Sequence, residues 1–149
     1  MIYSLEEKRQ IILNNYSHPT KQIELKELKK ISDNRKIPFF TFRSLDRSCG
    51  DVFNIFINRK SDYIERCYFS AQQSCLITIS VANIICNCLE GMKSKEAQEL
   101  INNCWLMLEN KEYNLDDCPE LRVFSDMSRF PNRFECVGLV LRGISKALK

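Results

Sequence analysis

Val52-Phe53-Asn54-Ile55-Phe56-Ile57, then Asn58-Arg59-Lys60-Ser61-Asp62, then Tyr63-Ile64-Glu65-Arg66-Cys67-Tyr68-Phe69 is the stretch that decides the fold. Two short runs rich in β-branched and aromatic residues flank five turn-forming ones, the pattern of two antiparallel strands joined end to end. Phe53, Ile55 and Ile57 alternate with Asn54 and Asn58, as in a strand with one buried face, and Phe56 breaks the alternation. Upstream, Phe39-Phe40-Thr41-Phe42 adds another strand, and the gap before Val52 holds Ser48-Cys49-Gly50-Asp51. A three-stranded antiparallel sheet is predicted.

The sequence on either side reads as helix. Ser4 to Tyr16 carries Leu5, Ile11, Ile12 and Leu13 among charges and ends near His18-Pro19, because proline disfavours helix in the residue before it. Thr20 to Ile31 places Ile23, Leu28 and Ile31 near helical spacing, which predicts a second helix. Cys75 opens a third over Leu76 to Leu89, with Gly91 in the C-cap position. Ser94 is placed to cap a fourth, on which Ala97, Leu100, Ile101, Cys104 and Leu108 share a face. Asn110 to Phe130 is polar and interrupted by Pro119, a connection with a short helix around Glu120 to Phe124. Asn132 to Lys149 is an amphipathic helix with Phe134, Val137, Leu141, Ile144 and Leu148 in one stripe. The predicted class is α+β, a small antiparallel sheet packed against several helices.

A chain of 149 residues, 44% of them hydrophobic, can bury one substantial core, so residues 1–149 are expected to form a single domain. The formal charge of +3 arises from 22 basic and 19 acidic side chains with no block of one sign, so nucleic acid is not an expected partner. No stretch approaches the roughly 20 apolar residues of a membrane helix, and Met1 to Gln10 is charged where a secretory signal is apolar. No membrane association is expected, and the cytosol is the predicted compartment.

Against that background eight cysteines stand out: Cys49, Cys67, Cys75, Cys86, Cys88, Cys104, Cys118 and Cys136. In a reducing compartment they are expected to be core residues, metal ligands or reactive groups rather than disulfide partners. Cys67 lies inside a predicted strand, Cys86 and Cys88 inside an apolar helix, and Cys104 on an apolar helix face, so all four read as core filling. Cys86 and Cys88 make no obvious chelate, because two residues turn a helical side chain by about 200°. Cys118, before Pro119, has no evident partner. His18, the single histidine, reads as a surface or capping residue.

Cys49, Cys75 and Cys136 differ, because each lies at the edge of an element. Cys49 stands in a turn, followed by Gly50, which permits tight backbone geometry, and Asp51, whose carboxylate can join the same metal. Cys75 opens a helix, where free N–H groups and the helix dipole favour thiolate. Cys136, in the first turn of the last helix, points about 130° away from its apolar stripe at 100° per residue. Three thiolates and a carboxylate match a closed tetrahedral zinc site, and sulfur ligands also suit iron–sulfur clusters. Spacing alone leaves these uses open, since there is no CxxC pair.

At these same residues the chain resembles the U-type iron–sulfur assembly proteins, the IscU, SufU and NifU N-terminal family, and most closely the SufU branch. Arg9-Gln10-Ile11-Ile12-Leu13-Asn14-Asn15-Tyr16-Ser17-His18-Pro19 is similar to the family's opening helix with its Tyr-x-x-Pro ending. Ser48-Cys49-Gly50-Asp51 resembles its Cys-Gly-Asp turn, Phe69 through Ser80 takes the place of the segment around its second cysteine, and Gly91 to Ala97 resembles the Gly-x-x-x-x-Glu-Ala link. Phe130-Pro131-Asn132-Arg133-Phe134-Glu135-Cys136 is similar to the SufU pattern Phe-Pro-x-Arg-x-x-Cys. Glu135 stands where the IscU branch has histidine, that branch's proline-rich chaperone motif is absent, and the interval from Cys75 to Cys136 is long as in SufU. The chain departs from the pattern at Gln73 and Ser74, which replace glycines, and in a long segment from Thr20 to Lys36.

The resemblance implies a NifU-like α+β fold with a zinc site at one end made by Cys49, Asp51, Cys75 and Cys136. It implies that Cys49 accepts sulfur from a pyridoxal-phosphate cysteine desulfurase of the SufS type, which makes the protein a sulfur carrier for cluster biogenesis rather than a conventional turnover enzyme. Arg133 would stabilise the freed thiolate or dock the partner; as an ordinary solvated arginine it would do neither. A second reading has the same four residues hold a [2Fe–2S] cluster for transfer to downstream assembly or acceptor proteins. A third is an interaction domain with a purely structural zinc.

Overall fold

The structure, a computed structural model, describes residues 3–46 and 50–149. Helices α1 (Leu5–Ser17) and α2 (Leu25–Arg35) precede strands β1 (Phe40–Arg43), β2 (Val52–Lys60) and β3 (Tyr63–Ser70). Helices α3 (Leu76–Leu89) and α4 (Ser94–Leu108), two short 3-10 turns at Pro119–Phe124 and Met127–Arg129, and helix α5 (Pro131–Ala147) follow. The sheet is antiparallel in the order β1-β2-β3, with Phe42 opposite Phe53 and Ile55 opposite Phe69. The α+β class is the expected one. Among the described residues, no helix is long and apolar enough to cross a membrane.

The expected turn Asn58–Asp62 is shorter in the structure. Asn58, Arg59 and Lys60 stay in the ladder, and Ser61, at φ 60, opens the tight reversal. Phe56 breaks the alternation because the central strand is covered on both sides. Phe53, Ile55 and Ile57 join the main core with α3 and α5, whereas Phe56 and Leu28 of α2 are fully buried outside that cluster.

Helix α2 starts later than predicted. Lys21 to Ile23 runs extended along β3 instead, with the Phe69 N–H donating to Lys21 O at 3.1 Å and Ile23 N–H donating to Phe69 O at 2.9 Å. Those bonds satisfy the edge of β3, a gain that helical periodicity does not register. Ser94 is the first residue of α4 rather than its cap, and its N–H donates to Asp62 O at 2.9 Å.

Cys88 and Cys118 form a disulfide across 30 residues, with Cα atoms 6.0 Å apart. This corrects the core-filling reading of Cys88 and supplies the partner that Cys118 lacked. The bond ties the end of α3 to the irregular connection, a contact that leaves no spacing signature.

Helix α5 is central, and its buried face is wider than the predicted stripe. Cys136, Val137, Gly138, Leu139, Val140, Leu141, Gly143 and Ile144 are all buried, because α3, α4, β1 and β2 surround it. At Gly143 the approach is so close that an added Cβ would lie 2.7 Å from ring carbons of Phe53, itself fully buried. Overpacking of this kind costs ~1–3 kcal/mol, against a helix-propensity gain of about 1 kcal/mol. Gly143→Ala is therefore expected to lose up to about 2 kcal/mol net, read as a lower urea midpoint at unchanged slope.

Candidate metal centre

Asp51 sits at the loop end of the β1–β2 hairpin, just past the Arg43–Val52 pair, where Ser44 N–H donates to Asp51 O at 3.1 Å. Cys75 is the N-cap of α3, in extended conformation at φ −72 and ψ 163, with its sulfur accepting from Thr78 N–H at 3.4 Å. The approach to it, where glycines were expected, places Gln73 in the left-handed region at φ 66, and Ser74 Oγ donates to Val52 O. A left-handed non-glycine residue costs about 1–2 kcal/mol, so the turn holds its shape at some expense. Cys136 lies on the second turn of α5, not the first, because the helix already begins at Pro131.

These three elements bring the ligand atoms of Asp51, Cys75 and Cys136 within 4.8 Å of one another. Cys75 Sγ lies 3.2 Å from Cys136 Sγ, and Cys136 Sγ lies 3.9 Å from Asp51 Oδ2. Asp51 and Cys136 are buried and Cys75 is half-buried. Cys136 turns away from the predicted stripe but into another buried contact, the start of α3. Cys49, the fourth residue of the expected set, lies outside the described residues.

Hydrogen bonding orients the carboxylate. Cys75 N–H donates to both Asp51 oxygens at 3.1 and 3.2 Å, and Thr78 Oγ1 donates to Asp51 Oδ2 at 2.7 Å. Thr78 is fully buried and was not legible as a site residue. Its signal is the three-residue step from an N-cap, the spacing at which a cap side chain meets backbone N–H. Since its one hydroxyl proton goes to the carboxylate, Cys75 receives the Thr78 backbone N–H.

The two sulfurs share a proton unequally. The hydrogen bond from Cys136, helped by Thr78 and opposed by burial, brings Cys75 down to about 7. Cys136 is pushed up by that same bond, by burial and by the charge of Cys75. Cys75 is thus the readier thiolate, as a helix start favours. Among the described residues the other free thiols lie in the core: burial pushes Cys67 well up and Cys104 to about 12, and Cys67 Sγ packs 3.1 Å from Cys86 Sγ. Their core-filling reading stands.

A groove of about 840 Å³ reaches Cys75 and Cys136 from the surface, with Leu5, Leu13, Met127 and Phe130 among its apolar walls. Arg133 lines it too, exposed, its guanidinium 4.6 Å from the centre of the Phe130 ring. It is stacked at the mouth rather than placed among the ligands. His18 is exposed and caps α1 through its N–H to Asn14 O.

No family model and no curated protein matches this sequence. Solved structures do. A proposed iron–sulfur cluster assembly scaffold protein for the SUF system (FiSufU) from the thermophile Fervidobacterium islandicum AW-1 is 21% identical, with TM-score 0.76, over 99% of this chain and 96% of that one. A hypothetical protein of known crystal structure is 18% identical with TM-score 0.76, over 95% and 96% of the two chains. The N-terminal part of a nitrogen-fixing NifU-like protein from Brucella abortus is 12% identical with TM-score 0.75, over 93% and 90%. The chain therefore has the fold of SufU and NifU-like proteins.

Proposed function

We propose that this chain is a U-type iron–sulfur cluster assembly protein of the SufU kind, a single unit over residues 1–149. In this reading Asp51, Cys75 and Cys136, with Cys49 as fourth ligand, hold zinc, and Cys49 takes sulfur from a pyridoxal-phosphate cysteine desulfurase. The observation that supports it most is the meeting of two sulfurs and a carboxylate within 4.8 Å from three elements far apart in the chain.

The donor set fits the ion, since zinc takes cysteine sulfur and carboxylate oxygen in four-coordinate sites. When bound, zinc keeps its cysteine ligands deprotonated. The rest falls to the chain. The start of α3 favours thiolate at Cys75, and Thr78 aims Asp51. A partner's loop would enter the groove lined by α1 and α5, where Arg133 stands. Once released from the ion, the Cys49 thiolate attacks the outer sulfur of the desulfurase persulfide; a Cys49 S–S bond forms, the enzyme's S–S bond breaks, and the enzyme's thiolate leaves. The proposed setting is the cytosol, a compartment in which a disulfide such as Cys88–Cys118 is unusual.

Asp51 favours one further reading, a scaffold whose cargo is a [2Fe–2S] cluster. A hard oxygen among sulfurs makes a cluster easier to release to downstream proteins. Metal analysis after anaerobic purification, with a desulfurase assay on wild type and Cys49→Ala, separates the readings. The sulfur carrier gives one zinc per chain, stimulation of the desulfurase, persulfide on Cys49, and loss of stimulation in Cys49→Ala. A chromophoric cluster on the same residues establishes the scaffold. Zinc with no stimulation, and a change in stability alone in Cys49→Ala, overturns both in favour of a structural zinc.

A further inference from the structure

We propose that Glu135 is a positioning residue that sets the distance between Asp51 and Cys136 by gripping the β1–β2 hairpin at the end where β1 leads into its connection to β2. The inference rests on the metal-holding reading of Asp51, Cys75 and Cys136.

Glu135 precedes Cys136 on α5, so the two side chains diverge by about 100°. Cys136 turns to Cys75, and Glu135 turns to the end of β1. There its Oε2 accepts from Ser44 Oγ at 3.1 Å and from the Leu45 N–H. Arg142 holds the carboxylate from the other side, with Nη1 donating to Oε1 at 2.9 Å and Nη2 to Oε2 at 3.3 Å. Both oxygens are engaged, so Glu135 is not a spare ligand despite its position.

A plain surface ion pair is the bland explanation, and such pairs contribute little. The geometry goes beyond one. The Glu135 side chain is only 14% exposed, and it takes a main-chain N–H from a different element. Ser44, which it holds, is also the cross-strand neighbour of Asp51 through Ser44 N–H to Asp51 O. Ser44 is thereby tied to the Asp51 main chain. The path Cys136, Glu135, Ser44, Asp51 closes on itself at the 3.9 Å gap between Cys136 Sγ and Asp51 Oδ2.

The test measures Co2+ and Zn2+ affinity by chelator competition, with the sulfur-to-cobalt absorption band and hydrogen exchange of the metal-free protein at Leu45. Glu135→Ala is expected to weaken both metals about tenfold, as loss of an outer-sphere partner does, with faster exchange at Leu45. Glu135→Gln keeps an acceptor for Ser44 and Leu45 and breaks the Arg142 ion pair, so it should bind within about threefold of wild type. Affinity within twofold in Glu135→Ala overturns the proposal, as does a Glu135→Gln as weak as Glu135→Ala, which would assign the effect to the ion pair. If Glu135→Ala does not fold, Ser44→Ala removes one bond on the hairpin side and is expected to lose about threefold or more; no loss overturns the proposal. Should wild type bind neither metal, the metal-holding reading fails by itself, and Leu45 exchange in Glu135→Ala then decides the grip: unchanged exchange refutes it.

Discussion

Cys136→Ser is expected to lower zinc affinity on the order of 100-fold or more, beyond the 10–100-fold that loss of an outer-sphere partner brings. A serine oxygen does not ionise near neutral pH and is a harder donor than thiolate, so the proposed set of three sulfurs and an oxygen would become a poorer match for zinc. The fold should survive, because one oxygen replaces one sulfur beside two polar neighbours, Cys75 and Asp51. Cys104→Ser makes the contrast. That thiol is 1% exposed in an apolar interface, so the variant places a hydroxyl there at a cost of ~1–3 kcal/mol and leaves metal affinity untouched. Chelator competition and urea denaturation on both variants read the two effects separately. Equal zinc affinity in Cys136→Ser and wild type would remove Cys136 from the site.

The contrast shows how far the sequence could be read. Cys75 was legible because an N-cap has a chemical consequence that needs no partner: free N–H groups at a helix start act on whatever side chain stands there. Cys67 and Cys104 were legible because a buried thiol in an apolar run behaves as a small hydrophobe. Cys118 was not legible, since its bond to Cys88 depends on where an irregular connection crosses α3. The same limit hid the course of Lys21 to Ile23, which obeys the edge of β3 rather than its own spacing. The apolar stripe of α5 was too narrow because Gly138 and Gly143 do not count as hydrophobic, yet they let Trp105 and Phe53 approach and so bury further faces. Glu135 and Thr78 are polar residues beside ligands, and nothing in their identity says which atoms they hold. Local chemistry thus marks the candidate ligands, and only the tertiary structure marks the residues bonded to them.

Thr78→Val tests that distinction most directly. Valine nearly matches threonine in shape, so the packing at this fully buried position stays close to native while the hydroxyl is lost. Asp51 Oδ2 then loses its 2.7 Å donor and keeps the Cys75 N–H. A hydrogen bond to a charged group contributes ~1.5–3 kcal/mol, so a loss of stability in that range is expected in the metal-free protein. Zinc affinity should fall ~10–100-fold, because the carboxylate is no longer fixed toward Cys136. Thr78→Ser restores the donor and should recover most of that affinity even though it loses a methyl group from the core. The pair of variants moves packing and hydrogen bonding in opposite directions. Zinc binding in Thr78→Val equal to wild type, measured beside Thr78→Ser, would show that Asp51 is aimed by the Cys75 N–H alone, and that the hydroxyl serves the folded core rather than the metal.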